Sequence, residues 1–417
     1  MSKNFKLLYA DSQGNFYDAP QLQALGRSGE FWTELRLEEM HPLPKGASLV
    51  LIPEGTPAGI DWQGELSFLE RDVYGQKAFA VGALLPQGFT RTLFPAYQRP
   101  EGSTPLPLFG YAAVALKGEQ LYVAAVPTDQ PEHWDPVFYN TEELPGLIAK
   151  KQKKLGQNRL LEHLAHCALQ YQCFTAQNIF YERWEGGIPL SPVCNAHCLG
   201  CISLQEAECC PSPQARIKFQ PTAREVAEIA VPHLVKASEG IISFGQGCEG
   251  DPSLSPELAK AISLIRSKTN RGTINMNSNA GFTDGIKGAC QAGLDSIRVS
   301  IISARPQVYQ KYYRANYQLQ DVCNSIAYAR QSGVFVSLNL LFLPGFSDRQ
   351  EELAAMLELI QKYGVNMVQV RNLNIDPDWF LSQMPSAEKD ILGVPEYLAE
   401  LRKIPGLQVG SFSHAVK

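Results

Sequence analysis

Residues 187–201 read GIPLSPVCNAHCLGC. A short apolar run with two prolines leads directly into Cys194, Cys198 and Cys201, at spacings of four and three. The run reads as a strand, which puts the cysteines on the loop at its C-terminal end. Five more apolar runs follow: GIISFG (240–245), GTINMNSN (272–279), SIRVSIIS (296–303), VFVSLNLLFLPG (334–345) and NMVQVRNLNI (366–375). Helix-like segments stand between them. Thr222 with Glu225 forms a capping box ahead of the first. Ser255 with Pro256, and Asp348 before Arg349, are placed to start two others. Gly364 ends a segment whose Leu353, Met356, Leu357 and Ile360 share one face. Six strand–helix steps predict an α/β fold: a parallel sheet curved into a partial (β/α)6 TIM-like barrel over residues 188–380. In such folds chemistry gathers where the strands end.

Upstream, residues 1–127 alternate short apolar runs with Gly and Pro turns, as in YAAVALKGEQLYVAAV (111–126), which reads as a hairpin. This predicts a β-rich N-terminal domain that forms its own core. It holds no cysteine, since the first is Cys167, and no nucleophile constellation or phosphate loop. Its expected role is recognition or capping. Residues 128–187 form a helical connector, whose KKQKK run reads as a solvated face. Residues 381–417 form a helical or irregular extension.

The chain has 417 residues, enough for two or three domains. Charged residues are 19% and hydrophobic ones 45%, a soluble balance. A net charge of −5 does not indicate a nucleic-acid binder. No apolar run reaches membrane-spanning length, and the start shows no signal-peptide run. A cytoplasmic protein with reduced thiols is expected. Its ten cysteines then read as metal ligands or buried residues.

A structural zinc site wants four protein ligands. Three thiolates on a short loop suit a [4Fe–4S] cluster better, each holding one iron and leaving the fourth iron open. The C-x-x-x-C-x-x-C loop after strand one of a six-step β/α barrel resembles the radical S-adenosylmethionine (radical SAM) superfamily, over about residues 186–380. The resemblance implies that Cys194, Cys198 and Cys201 hold the cluster and that S-adenosylmethionine (SAM) binds the open iron. It further implies reductive cleavage of SAM to methionine and a 5′-deoxyadenosyl radical, which abstracts hydrogen from a substrate. An electron donor such as flavodoxin or ferredoxin is implied as partner. The family often has an aromatic residue before the third cysteine; here Gly200 stands there.

The second strand ends in FGQGCEGDPSL (244–254), similar to the family's glycine-rich turn that receives the SAM ammonium. Gly245, Gly247, Glu249, Gly250 and Asp251 are the candidates, with Cys248 interposed. Asn277 and Asn279 end strand three, and Ser300 and Ser303 flank the end of strand four. Strand five carries Asn339, and strand six carries Arg371, a candidate partner for an anionic group. The resemblance implies ribose and carboxylate contacts from strands four and five. No catalytic residue is assigned.

Cys290 and Cys323 lie in helices and read as core. Cys167, Cys173, Cys209 and Cys210 bracket the cluster loop and are candidates for a second iron–sulfur or zinc site, against the plainer reading as small buried residues. The rival function is a non-catalytic iron–sulfur or zinc sensor module. Within the enzyme reading, peptide, protein or RNA modification stays open.

Overall fold

In a computed structural model, which describes residues 5–417 apart from 107, 131 and 205–213, three helices lead into a parallel sheet. They are α1 (Leu144–Leu155), α2 (Arg159–Leu169) and α3 (Phe174–Tyr181). The sheet runs β1 (Glu185–Gly187), β2 (Ile241–Phe244), β3 (Thr273–Ser278), β4 (Ser296–Ile301), β5 (Phe335–Phe342), β6 (Met367–Asn372) and β7 (Gln408–Gly410). Each strand pairs in parallel with the next in chain order. The crossings carry α4 (Ala223–Lys236), α5 (Leu258–Arg266), α6 (Thr283–Ala292), α7 (Pro306–Tyr313), α8 (Leu319–Gln331), α9 (Gln350–Tyr363), α10 (Pro377–Gln383) and α11 (Val394–Arg402). This is a partial barrel with one strand more than the sequence pattern predicts. The extra strand, β7, comes from the C-terminal extension and is too short and too polar to stand out by composition.

Strand one is also shorter and earlier than GIPLSPV suggests. Its last ladder bond is Ile188 N–H to the Ser243 carbonyl, at 3.0 Å. Pro189 and Pro192 have no N–H to continue it, so the chain leaves the sheet before the cysteine loop. The Thr222–Glu225 capping box forms at α4. Asp348 does not cap α9: its Oδ1 accepts from Gly345 N–H at 2.6 Å, tightening the turn before it, and Arg349 is the N-cap.

Side-chain alternation divides the sheet by polarity. Outward, Ile274, Ile297, Val336, Leu338 and Val368 are buried in the core that the helices cover. Burying each such side chain contributes roughly 1.5–3 kcal/mol. Inward, Asn277, Arg298 and Ser337 lie side by side in register, as do Ser300, Asn339 and Gln369. A closed TIM barrel fills this space with branched apolar side chains. Here it is lined with polar ones.

The N-terminal unit is an antiparallel sheet of thirteen strands among the described residues. Three of its hairpin tips repeat one turn, DSQGN (11–15), DWQGE (61–65) and DVYGQ (72–76). In each, the Asp Oδ1 accepts the N–H groups two and four residues on. The unit docks on the C-terminal end of the parallel sheet. Buried Arg91 donates to the Leu373 carbonyl at 2.9 Å, and its own N–H donates to Asn372 Oδ1 at 2.8 Å. Arg27 pairs with Asp378. Gly29 and Gly345 meet so closely that a Cβ on Gly345 would lie 1.8 Å from Gly29 N.

Candidate functional site

Two carboxylates build the site from behind. Glu249 is buried and accepts four backbone N–H groups. Those of Gly245 and Gln246, at 2.6 and 2.7 Å, shape its own turn. Those of Leu190 and Ser191, at 2.7 and 2.9 Å, belong to the segment entering the cysteine loop. Burial pushes its carboxyl up to about 7, while the four amides pull the other way. Asp251 is equally buried. Its Oδ2 accepts Asn279 N–H at 2.7 Å, its Oδ1 accepts Ser253 and Ser278, and its N–H donates to the Val193 carbonyl at 2.9 Å. Glu249 therefore ties the β2 turn to the loop before Cys194, and Asp251 ties the same turn to the end of β3.

The glycines permit this closeness. Gly245 has φ +82°, and a Cβ there would lie 1.8 Å from the Asn277 carbonyl oxygen. A Cβ on Gly250 would lie 1.9 Å from the Val193 carbonyl oxygen. At Gly247 the nearest neighbour is Gln214, from the chain returning after the cysteine loop. Asn277 donates to the Gly245 carbonyl at 3.1 Å. Asn279 donates to Asn195 Oδ1 at 2.7 Å, with Cys194 Sγ 3.9 Å away.

The far side of the loop rests on the end of α7. The N–H groups of His197 and Leu199 donate to the Tyr313 and Tyr312 carbonyls at 2.9 and 3.0 Å, and Arg314 Nε donates to the His197 carbonyl at 2.7 Å. Gly200 lies under the Tyr312 hydroxyl, which a Cβ there would meet at 2.8 Å. An aromatic group thus reaches this position from a different element. Arg216 lies 3.8 Å from Cys201 Sγ and holds Ser203. The sequence pattern singled out neither Tyr312 nor Arg216, since both come from segments with no motif. A cavity of about 330 Å³ opens beside Cys198 and Cys201, walled by Leu106 of the N-terminal unit and by Arg216, Arg314, Asp376 and Trp379.

Burial, and then the neighbouring thiols, push the Cys198 thiol well up; burial and then Asp251 raise that of Cys194. Left alone, these two thiols stay protonated, and a positive centre is what would ionise them. The charges of Cys194 and Cys201 both act on Cys198, so the three thiols lie near one another. A loop that offers three partly buried thiols, rather than the four ligands of a structural zinc site, fits a cluster that gives each cysteine its own iron.

Ser300, Asn339 and Arg371 lie on the inner face of the barrel. Asn339 donates weakly to Ser300 at 3.4 Å, and its Oδ1 has no partner. Arg371 donates to the Ser411 carbonyl and to Gln87 Oε1, at 2.6 and 2.7 Å. Arg298 is near enough for its charge to act on Arg371; its Nη1 donates to Gln369 Oε1 at 3.3 Å, and its Nε is unpartnered. Burial, and then the Arg298 charge, lower Arg371 to about 10, so it stays charged at neutral pH. Arg298 escaped the sequence reading, though its place between Ser296 and Ser300 on alternate positions marks it as inward. Ser303 points elsewhere: it donates to Glu352 of α9 and sits under the sheet's helices. Of the four cysteines considered for a second site, Cys209 and Cys210 lie outside the described residues.

Residues 188–369, a little under half of the chain, match the family model described as the Radical SAM superfamily. The cofactors of this class are a [4Fe–4S] cluster and SAM. The chain is similar to GTP 3′,8-cyclase of Aquifex aeolicus (strain VF5), 27% identical over 143 residues, or 34% of this chain and 44% of that protein. It thus spans less than half the length of that relative. Among solved structures, it is similar to methylornithine synthase (12% identity, TM-score 0.36, covering 63% of this chain and 77% of that one). It is also similar to Streptococcus suis SuiB (8% identity, TM-score 0.37, covering 65% and 60%). Those two likenesses are too loose to carry chemistry from one protein to another. Among the described residues, no helix is long and apolar enough to cross a membrane.

Proposed function

We propose that the chain is a radical SAM enzyme acting on an organic substrate that reaches the barrel beneath the N-terminal unit. The observation that carries this is the cysteine loop itself: three partly buried thiols, cross-braced by Glu249 and Asp251, at the C-terminal end of a partial barrel with a polar interior. Cys194, Cys198 and Cys201 would hold the cluster, which supplies the electron for SAM cleavage to methionine and a 5′-deoxyadenosyl radical.

The chain's own residues set the conditions for that chemistry. Glu249 and Asp251 fix the loop against the β2 turn. Tyr312 closes over Gly200. Arg298, Arg371 and Asn339 offer charge and an open acceptor within the barrel, suited to a carboxylate with an adjacent donor, whether on SAM or on the substrate. Leu106 and its neighbours wall the cavity beside the thiols, which supports recognition or capping as the work of the unit over residues 1–127. Residues 128–187 serve as connector, 188–380 as the barrel and 381–417 as an extension that adds to it. The enzyme would work in the cytoplasm with a flavodoxin- or ferredoxin-type donor.

The test is an anaerobic assay for 5′-deoxyadenosine with chemically reduced, iron-loaded protein. SAM cleavage that a cell fraction accelerates supports the reading and traces the substrate. Iron-loaded protein that never cleaves SAM overturns it in favour of a sensor module.

A further inference from the structure

A second cluster of ligand groups lies behind the glycine turn. On α2, His163 and Cys167 are one helical turn apart on the same face. Cys248 comes from the β2 turn, between Gly247 and Glu249. The imidazole nitrogen and the two thiols all lie within 4.8 Å of one another, the only such set among the described residues. His163 Nε2 and Cys167 Sγ are 3.5 Å apart. A tetrahedral ion at ordinary zinc–nitrogen and zinc–sulfur distances holds such a pair about 3.6 Å apart. Cys167 and Cys248 are buried and are not joined as a disulfide. Cys173 adjoins them: its N–H donates to the Cys167 carbonyl at 3.1 Å, and its thiol lies 3.3 Å from Thr175 Oγ1.

We propose that His163, Cys167 and Cys248 bind one thiophilic divalent ion of the zinc class, with Cys173 turning from Thr175 to complete a Cys3His site. The donor set is the kind that selects zinc, and its spacing suits one ion rather than a cluster. Its place gives it a task. It clamps the connector helix to the turn whose next residues, Glu249 and Asp251, brace the cysteine loop. Binding displaces the thiol protons to solvent, so occupancy weakens in acid.

The test uses the full chain, purified anaerobically from zinc-supplemented culture and dialysed against EDTA. About one zinc per chain is expected to remain, and to vanish in Cys167→Ser and in Cys248→Ser while Cys198→Ala keeps it. Cobalt exchanged into the intact protein should show intense thiolate-to-metal bands and a tetrahedral visible spectrum. That reading needs no variant and decides the matter if the serine variants do not fold. Four results overturn the proposal: no retained zinc and no cobalt–thiolate band; zinc that leaves in Cys198→Ala but stays in Cys167→Ser; iron and sulfide in place of zinc at these cysteines; or a Cys167–Cys248 disulfide in the anaerobic protein by mass spectrometry.

Discussion

Gly250 packs on Val193 with no room for a side chain: a Cβ would lie 1.9 Å from the Val193 carbonyl oxygen and 3.0 Å from Cys194 N. The second turn of the sheet is thus in backbone contact with the loop that carries the first cysteine. Gly250→Ala should push the two apart and cost about 1–3 kcal/mol or more, as overpacking does. Cys194 moves with Val193, so iron retained after reconstitution should fall with stability. Chemical denaturation and iron analysis check both. A variant with unchanged stability and full iron would show that the contact does not govern the loop.

Cys198→Ala should abolish the cluster's visible absorption and all SAM cleavage if, as proposed, each of the three thiolates holds one iron. Cys290→Ala should leave both intact, since Cys290 lies on α6, away from the loop. Iron, sulfide and 5′-deoxyadenosine are the measurements. Full activity in the Cys198 variant would remove this residue from the ligand set.

Arg298 and Asn339 each leave a buried polar atom unpaired inside the barrel. If a bound anion satisfies Arg298, Arg298→Gln should weaken SAM or substrate binding by about tenfold or more, the loss of one charge-assisted hydrogen bond. Iron content should not change, because the Arg298 side chain bonds to Gln369 within the sheet. Equilibrium binding of SAM to the reconstituted protein, and KM for the traced substrate, separate the two ligands.

His414 Nε2 lies 3.0 Å from Asp129 Oδ2, tying the C-terminal tail to the segment that follows the N-terminal unit. The Asp129 hydrogen bond raises the His414 imidazolium pKa above its ordinary value. A group raised on folding stabilises fully below its unfolded pKa, near 6.5, and loses that contribution as pH climbs through the folded value. The tail should therefore exchange amide hydrogens faster at pH 8.5 than at pH 6, after correction for the intrinsic rate. His414 is 42% exposed, so solvent screening keeps the effect below about 1 kcal/mol. His414→Ala should remove the pH dependence in β7.

Local chemistry made much of this protein readable from its sequence. Period-two apolar strands alternating with capped helices announce a parallel β/α sheet, because burial on one face needs that spacing whatever lies across it. Three cysteines on one short loop announce a shared metal centre, because seven to eight residues cannot spread them far. What the sequence left open depended on contacts between distant segments. Cys248 looked like an interruption of a glycine turn until the fold set it beside His163 and Cys167, some 80 residues earlier in the chain. Glu249 and Asp251 looked like ligand contacts, and the fold spends their oxygens on backbone amides and hydroxyls. Arg298 was one of three alternate polar residues in its strand until sheet register set it between Asn277 and Ser337 in the barrel interior. Covalent spacing limits which residues can meet within a loop. Only packing decides which loops meet one another, and there the free energy of burying an unpaired polar group selects the partners.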